Sequence, residues 1–280
     1  MVICIRSRSG WKEDGVLGNS HFVSEALGIV ERAEAKGVFL RILGSTAFRI
    51  HSPEYVPVHE AMNRPLTDVD FAAYSKQDRQ IEAFLQGQGY KLTVAALTPE
   101  LFAMRRIFNH PTNGIHIDVF LDELNFCHRI PFRNRLEVDS PTIPLAELML
   151  EKTQIVTLNQ KDIKDTLILL AAHPVGDHDT ETINGKHIGN LLSKEWGLYY
   201  TTMLSLEKIG KGLEVYRESF SEKDVENIRT RIDLLSQMIE VAPKSLAWKT
   251  RAIVGPRVKW YNDVDDVERA EHLLELQRKD

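Results

Sequence analysis

The chain has 280 residues, 43% of them hydrophobic and 27% charged. That mix can bury a substantial core, which excludes disorder as the main state. Thirty-five basic against 40 acidic residues leave a net charge of −5, which excludes a globally basic, histone-like binder but not a local basic face.

Residues 21–36 carry apolar side chains at helical spacing, and Gly37 stands where a C-terminal glycine belongs. Residues 38–43 read as a strand ending at Gly44-Ser45, and Thr46 opens a helix. A second strand is expected over 67–74 and an amphipathic helix over 76–85. Two apolar runs, 104–108 and 115–120, flank a polar turn containing Asn113-Gly114, a hairpin signal. A short strand is expected over 127–132. After Ser140-Pro141 the pattern turns helical, over 144–157, 160–172, 184–209, 222–241 and 264–277, with a polar loop at 177–182. The expected fold is α+β: a mixed-sheet α/β domain at 1–138 followed by a helical domain at 139–280.

Cys4 and Cys127 belong to no CxxC, so neither a disulfide framework nor a zinc knuckle is expected. No signal-peptide core follows the N-terminal arginines, and the longest apolar runs are far short of a bilayer span. A cytoplasmic protein without membrane segments is expected.

Three Asp-x-Asp pairs occur, at 68/70, 177/179 and 263/265. The second lies in a polar loop, and the third precedes a helical pattern, where it reads as capping or solvated charge. Only Asp68 and Asp70 interrupt an apolar strand. Residues i and i+2 of a strand share a face, so both carboxylates point away from Val69 and Phe71. Like charges held this close call for a cation, and oxygen ligands suit magnesium. Asp118, between Ile117 and Val119, is another acid in an apolar strand, sharing its face with His116 and Phe120. If the two strands are neighbours, three carboxylates converge. The simpler alternative for Asp118 is an ion pair with Arg105 or Arg106 across the hairpin. Leu43-Gly44-Ser45-Thr46 forms a strand-to-helix turn, a place where a phosphate can approach backbone donors, although most such turns are only turns.

Strand-Gly-Ser-helix, then Asp-x-Asp, then a third strand Asp resembles the nucleotidyltransferase superfamily with the polymerase-β-type fold. Within it, the likeness is greatest to AbiEii-type toxin-like nucleotidyltransferases. The stretches that carry it are LGSTAF (43–48), RPLTDVDF (64–71), IHIDVF (115–120), PLAELMLEKTQIV (144–156) and KDIKDTLILL (161–170). The resemblance implies two magnesium ions and a nucleoside triphosphate donor. It implies that Gly44, Ser45 and Thr46 bind the triphosphate, that Asp68 and Asp70 hold the metals, and that Asp118 is the third acid, positioning or activating the acceptor hydroxyl. It also implies that Lys152 contacts donor phosphates and that Asp162 or Asp165 completes that side. The acceptor is a tRNA or a small hydroxyl compound, and toxin-like members imply a neutralising partner protein. One departure stands out. Twenty-two residues separate Ser45 from Asp68, longer than the family's usual spacing, and 51–64 reads as a loop over the site.

Other readings compete. Lys152 is also a plain helix-end lysine, and Asp162 and Asp165 are also first-turn charges beside Lys161 and Lys164. His173, Asp177, His178, Asp179 and His187 suggest a metal phosphohydrolase, or only a polar loop. Stretches 128–135 and 243–262 are basic, the second interleaved with Trp248, Trp260 and Tyr261. They suggest a grip on nucleic acid, or solvated faces. A catalytically silent binding module of the same fold is the further alternative.

Overall fold

The computed structural model describes residues 17–93 and 104–263. The helix expected at 264–277, Asp265 and Cys4 lie outside the described residues. Helix α1 (Leu17–Glu34) buries Val23, Ala26, Ile29, Val30 and Ala33 at the expected spacing, and Gly37, at φ 71°, turns the chain.

The sheet is mixed. Its strands are β1 (Arg41–Leu43), β2 (Val69–Ala73), β3 (Lys91–Leu92), β4 (Arg105–Asn109) and β5 (His116–Leu121), in the order β1-β2-β5-β4-β3. Only β2 and β5 run parallel. The β4–β5 hairpin forms around Asn113-Gly114 as expected, with Gly114 at φ 70°. β1 is shorter than the run 38–43, because the Phe39 amide donates to the Gln77 side chain instead of a strand. A separate hairpin pairs β6 (Glu123–Asn125) with β7 (Arg129–Pro131).

Helices α2 (Gly44–His51), α3 (Val56–Ala61) and α4 (Asp78–Gly87) belong to the same half. α2 packs on β1, β2 and α1, and is buried along its whole length. The rest is nearly all helix: α5 (Leu145–Thr153), α6 (Gln160–Ala172), α7 (Gly185–Leu192), α8 (Trp196–Tyr216), α9 (Glu222–Val241) and α10 (Leu246–Val254). The exceptions are two two-residue strands, β8 (Val175–Gly176) and β9 (Ile183–Asn184), paired in parallel.

The single helix expected over 184–209 is two. Ser193 Oγ donates to the Asn190 carbonyl, while the Ser193 carbonyl accepts the Ser245 amide, so the helical ladder is handed elsewhere. Helix α10 was not expected. Its Leu246 and Ile253 are more than 80% exposed, so no burial stripe marks it, and the Ser245 cap on the Trp248 amide is its main local signal.

The α+β expectation therefore holds, with a small mixed sheet followed by a helical part. One hydrophobic core runs through both, from Val23 to Ile239. The proline-containing stretch between them is tied to the sheet, with the Ile42 amide donating to the Pro141 carbonyl and the Ile143 amide to the Ile42 carbonyl.

Two buried histidines make the fold acid-sensitive. Burial lowers His59 to about 2, helped by Arg49 and Arg64, and lowers His128 to about 4. The unfolded chain takes up these protons near the ordinary value of 6.5. Below that pH the unfolded state binds more protons, so stability falls as pH drops, by up to about 1.4 kcal/mol per pH unit for each histidine. Between pH 6.5 and 4, where the histidine contribution falls, the melting temperature of His128→Gln should drop less than that of the unsubstituted protein.

Candidate functional site

Two acids distant in sequence meet because β2 and β5 pair in parallel, with Asp70 opposite Asp118. Adjacent strands lie about 4.8 Å apart. Strand alternation buries Val69 and Phe71 completely and turns Asp70 to the other face. In β5 the same alternation sets His116, Asp118 and Phe120 together. Asp70, Asp118 and Phe120 open on a cleft of about 600 Å³ between the sheet and the helical part, with His116 behind Asp118. Its lining includes Asp70, Asp118, Lys152 and Asp162, joined by Arg105 and Glu151. Gly44, Ser45, Thr46, Asp68 and Asp165 are not among its lining residues.

The two facing acids are in opposite electrostatic states. Burial pushes the Asp70 carboxyl well above the usual carboxylate range, and Asp68, Asp118 and Glu151 add repulsion. Its carboxylate has no hydrogen bond or ion pair among the described residues. For Asp118, burial works in the same upward direction but is overcome by His116 and Arg105, which hold its carboxyl below the usual range. His116 Nε2 lies 3.4 Å from Asp118 Oδ1, and Arg105 pairs with Oδ2. His116 is raised in turn, chiefly by its hydrogen bond to Asp118.

The Gly44 turn supports Asp70 directly. Gly44 has φ +69°, and a Cβ built there would stand 2.0 Å from Asp70 Oδ2. Its amide donates to Glu151 Oε2 at 3.0 Å, so that donor is already engaged. Thr46 Oγ1 donates to the Asp68 carbonyl, placing the start of β2, and Ser45 is buried beside it. This turn therefore braces the carboxylates.

Lys152 emerges from α5, a helix buried nearly all round. Its Nζ lies 2.8 Å from Glu151, 3.7 Å from Asp162 and 3.9 Å from Asp165. Burial opposes its charge, but these three acids outweigh that and hold it well above the usual lysine range. Glu151 was missed in the sequence, although Glu147 and Glu151, one turn apart on an apolar helix, are a legible signal of buried acids with a task. Glu147 serves structure, pairing with Arg135 and His187.

Asp162 does two things. It completes the Asn159 capping box of α6 and turns its other oxygen towards Lys152. Asp165 is buried outside the cleft lining, where Arg64 clasps it with two hydrogen bonds of 2.9 and 2.7 Å. Neither acid pairs with Lys161 or Lys164. Lys164 donates to the Met62 carbonyl.

The segment 51–64 is corrected. It is not a loop over the site: it folds into a short 3-10 turn and α3, packs against α2 and α6, and contributes no residue to the cleft. Its anchor is Arg64, whose partner lies 101 positions away. Arg64→Met takes both hydrogen bonds from the buried Asp165 carboxylate, leaving it Lys152 at 3.9 Å, and should cost about 3 kcal/mol in denaturant unfolding, largely recovered in Arg64→Met/Asp165→Leu.

In the histidine-rich region His173, Asp179 and His187 face separate partners. His173 Nε2 contacts the His51 carbonyl, Asp179 forks with Arg135, and His187 contacts Glu147. The basic stretch 128–135 is partly spent, since Arg135 is buried against Glu147 and Asp179 and Arg129 forks with Glu123. The stretch 243–262 does build a surface. With Trp196 and Lys194 it lines a second cleft of about 650 Å³ through Trp248, Arg251, Lys259, Trp260 and Tyr261. Arg251 lies over the Trp196 ring and has no carboxylate partner among the described residues. Cys127, Tyr261 and Asn262 line both clefts, so the two adjoin.

Among the described residues, no three His, Cys, Asp or Glu side chains stand ready to hold a metal. The donor set nonetheless suits a hard divalent cation. Among the described residues Asp70 makes no ion pair, Asp118 is beside it in register with Oδ1 facing His116, and the missing side chain at Gly44 leaves room at Asp70 Oδ2. Compared with protein-family models and with curated proteins, the chain matches none. Among the described residues, no helix is long and apolar enough to cross a membrane.

Proposed function

We propose that this protein is a magnesium-dependent nucleotidyltransferase of the polymerase-β-type fold. It moves a nucleoside monophosphate from a triphosphate to a hydroxyl and releases pyrophosphate. The observation that carries this reading is the register of Asp70 against Asp118 at the mouth of the Gly44 turn, with Asp70 making no ion pair among the described residues. Asp70 and Asp118, with Asp68 beside them, would hold magnesium. Bound there, magnesium would neutralise the triphosphate and hold attacking and leaving oxygens in line.

The chain's own residues do the rest. Lys152, fixed by Glu151 and Asp162, presents a permanent positive charge to donor phosphates along the cleft wall. Asp118, kept ionised by Arg105 and His116, is the carboxylate able to orient an acceptor hydroxyl. Gly44 and Thr46 act by placing Asp70 and Asp68. Ser45, next to Gly44 on the same turn, stays the candidate for phosphate contact. The adjoining basic and aromatic cleft favours an acceptor with bases and phosphates, such as tRNA, over a small hydroxyl compound.

The test is incubation with labelled nucleoside triphosphates, magnesium and total tRNA, beside Asp70→Asn. Label transfer that the variant loses supports the reading. Absence of transfer to any acceptor, together with absence of magnesium-triphosphate binding by calorimetry, leaves the catalytically silent module.

A further inference from the structure

We propose that Arg105 is the resident counter-ion of the acidic cluster, surrendering Asp118 to the metal and then binding the donor's phosphates. This rests on the nucleotidyltransferase reading of the cleft.

Three observations carry it. First, the position is built. In the β4–β5 ladder Arg105 stands opposite Phe120, two residues from Asp118 on the same face, so its side chain reaches Asp118 within the cleft. Its neighbour Arg106 is the contrast. It leaves from the opposite face of β4 and pairs with Asp78 away from the cleft, an ordinary structural bridge. Second, Arg105 sits where a metal must bind. It engages Asp118 Oδ2, while the other oxygen faces His116 Nε2 at 3.4 Å. Asp70 stands directly alongside, so a divalent charge shared by the two acids would meet the guanidinium head-on. Third, Arg105 has somewhere to go. Its guanidinium carbon lies 5.3 Å from the centre of the Phe120 ring, which also lines the cleft. A guanidinium stacked on an aromatic face can shift along it without losing that contact. A planar fork released beside a triphosphate matches two phosphate oxygens at once, which a lysine cannot do. Lys152 would then hold one wall of the phosphate path and Arg105 the other.

Manganese binding without nucleotide, followed by electron paramagnetic resonance, separates this from a merely supporting ion pair. Arg105→Gln removes the competing cation, so manganese should bind several-fold tighter. The same variant should bind a non-hydrolysable triphosphate with magnesium on the order of ten-fold more weakly. Arg105→Lys should return manganese affinity towards the original while recovering only part of the triphosphate affinity. Unchanged or weaker manganese binding in Arg105→Gln, with a melting temperature showing that it folds, would mean that Arg105 only props Asp118 and overturns the proposal. Unchanged triphosphate binding overturns the phosphate role. If Arg105→Gln does not fold, Arg105→Lys decides by the triphosphate measurement alone. Failure of the unsubstituted protein to bind manganese at all sinks the nucleotidyltransferase reading itself, a different result from binding that Arg105 leaves unaffected.

Discussion

Asp70→Asn should abolish magnesium-dependent transfer, by on the order of 10²-fold or more, and should raise the melting temperature of the metal-free protein. The two effects share one cause. Burial and three neighbouring acids lift the Asp70 carboxyl above its ordinary range in the folded state. An acid raised in this way contributes stability while protonated, and that contribution is lost as pH rises from the ordinary carboxylate value through the raised one. At neutral pH an ionised Asp70 therefore strains the metal-free fold, and a neutral amide of the same shape relieves it. Asp118→Asn should act in the opposite sense. Its carboxyl is held low by His116 and Arg105 against the burial that opposes them, so the amide forfeits an ion pair and the metal-free protein melts lower. Thermal unfolding of both variants in chelator, with and without added magnesium, checks this. A lower melting temperature for metal-free Asp70→Asn would show that Asp70 serves structure.

Gly44→Ala should lose transfer activity almost as completely while remaining soluble. Two costs add at this position. A left-handed backbone costs a residue with a side chain roughly 1–2 kcal/mol. The new Cβ would also stand 2.0 Å from Asp70 Oδ2 and 2.9 Å from Cγ, closer than real atoms approach. Asp70 must move, and a displacement near 1 Å costs on the order of 10²-fold in a reaction that depends on positioning. Denaturant unfolding should show a loss of about 2–4 kcal/mol. Magnesium affinity should fall in parallel with activity. Full magnesium affinity in Gly44→Ala would show that the Gly44–Asp70 contact does not shape the site.

Much of this architecture was legible because it is local. Helix α1 follows from apolar spacing closed by a glycine, and the β4–β5 hairpin follows from Asn113-Gly114 between two apolar runs. Asp68, Asp70 and Asp118 stood out because each interrupts an apolar sequence pattern, where charge needs a reason, although Asp68 stands just ahead of β2. The misreadings arose where local pattern is mute. Residues 51–64 have no strong periodicity, yet they fold because Arg64 finds Asp165 across 101 positions. Helix α10 exposes its apolar residues, so no stripe announces it. Glu151 is marked by the sequence only as an acid on an apolar helix, and its task shows where α5 packs against the Gly44 turn.

By itself, then, the sequence determined which residues are too costly to bury without purpose, and where turns and caps divide the chain. These follow from backbone sterics, alternation and desolvation, which act within a few residues. Only the tertiary structure decided that β2 and β5 lie parallel with Asp70 facing Asp118. It also decided that Asp70 makes no ion pair among the described residues while Arg105 takes Asp118, and that Asp165 belongs to Arg64. Strand register and ion-pair choice are set by contacts between distant segments, where the energy of each pair depends on everything else packed around it.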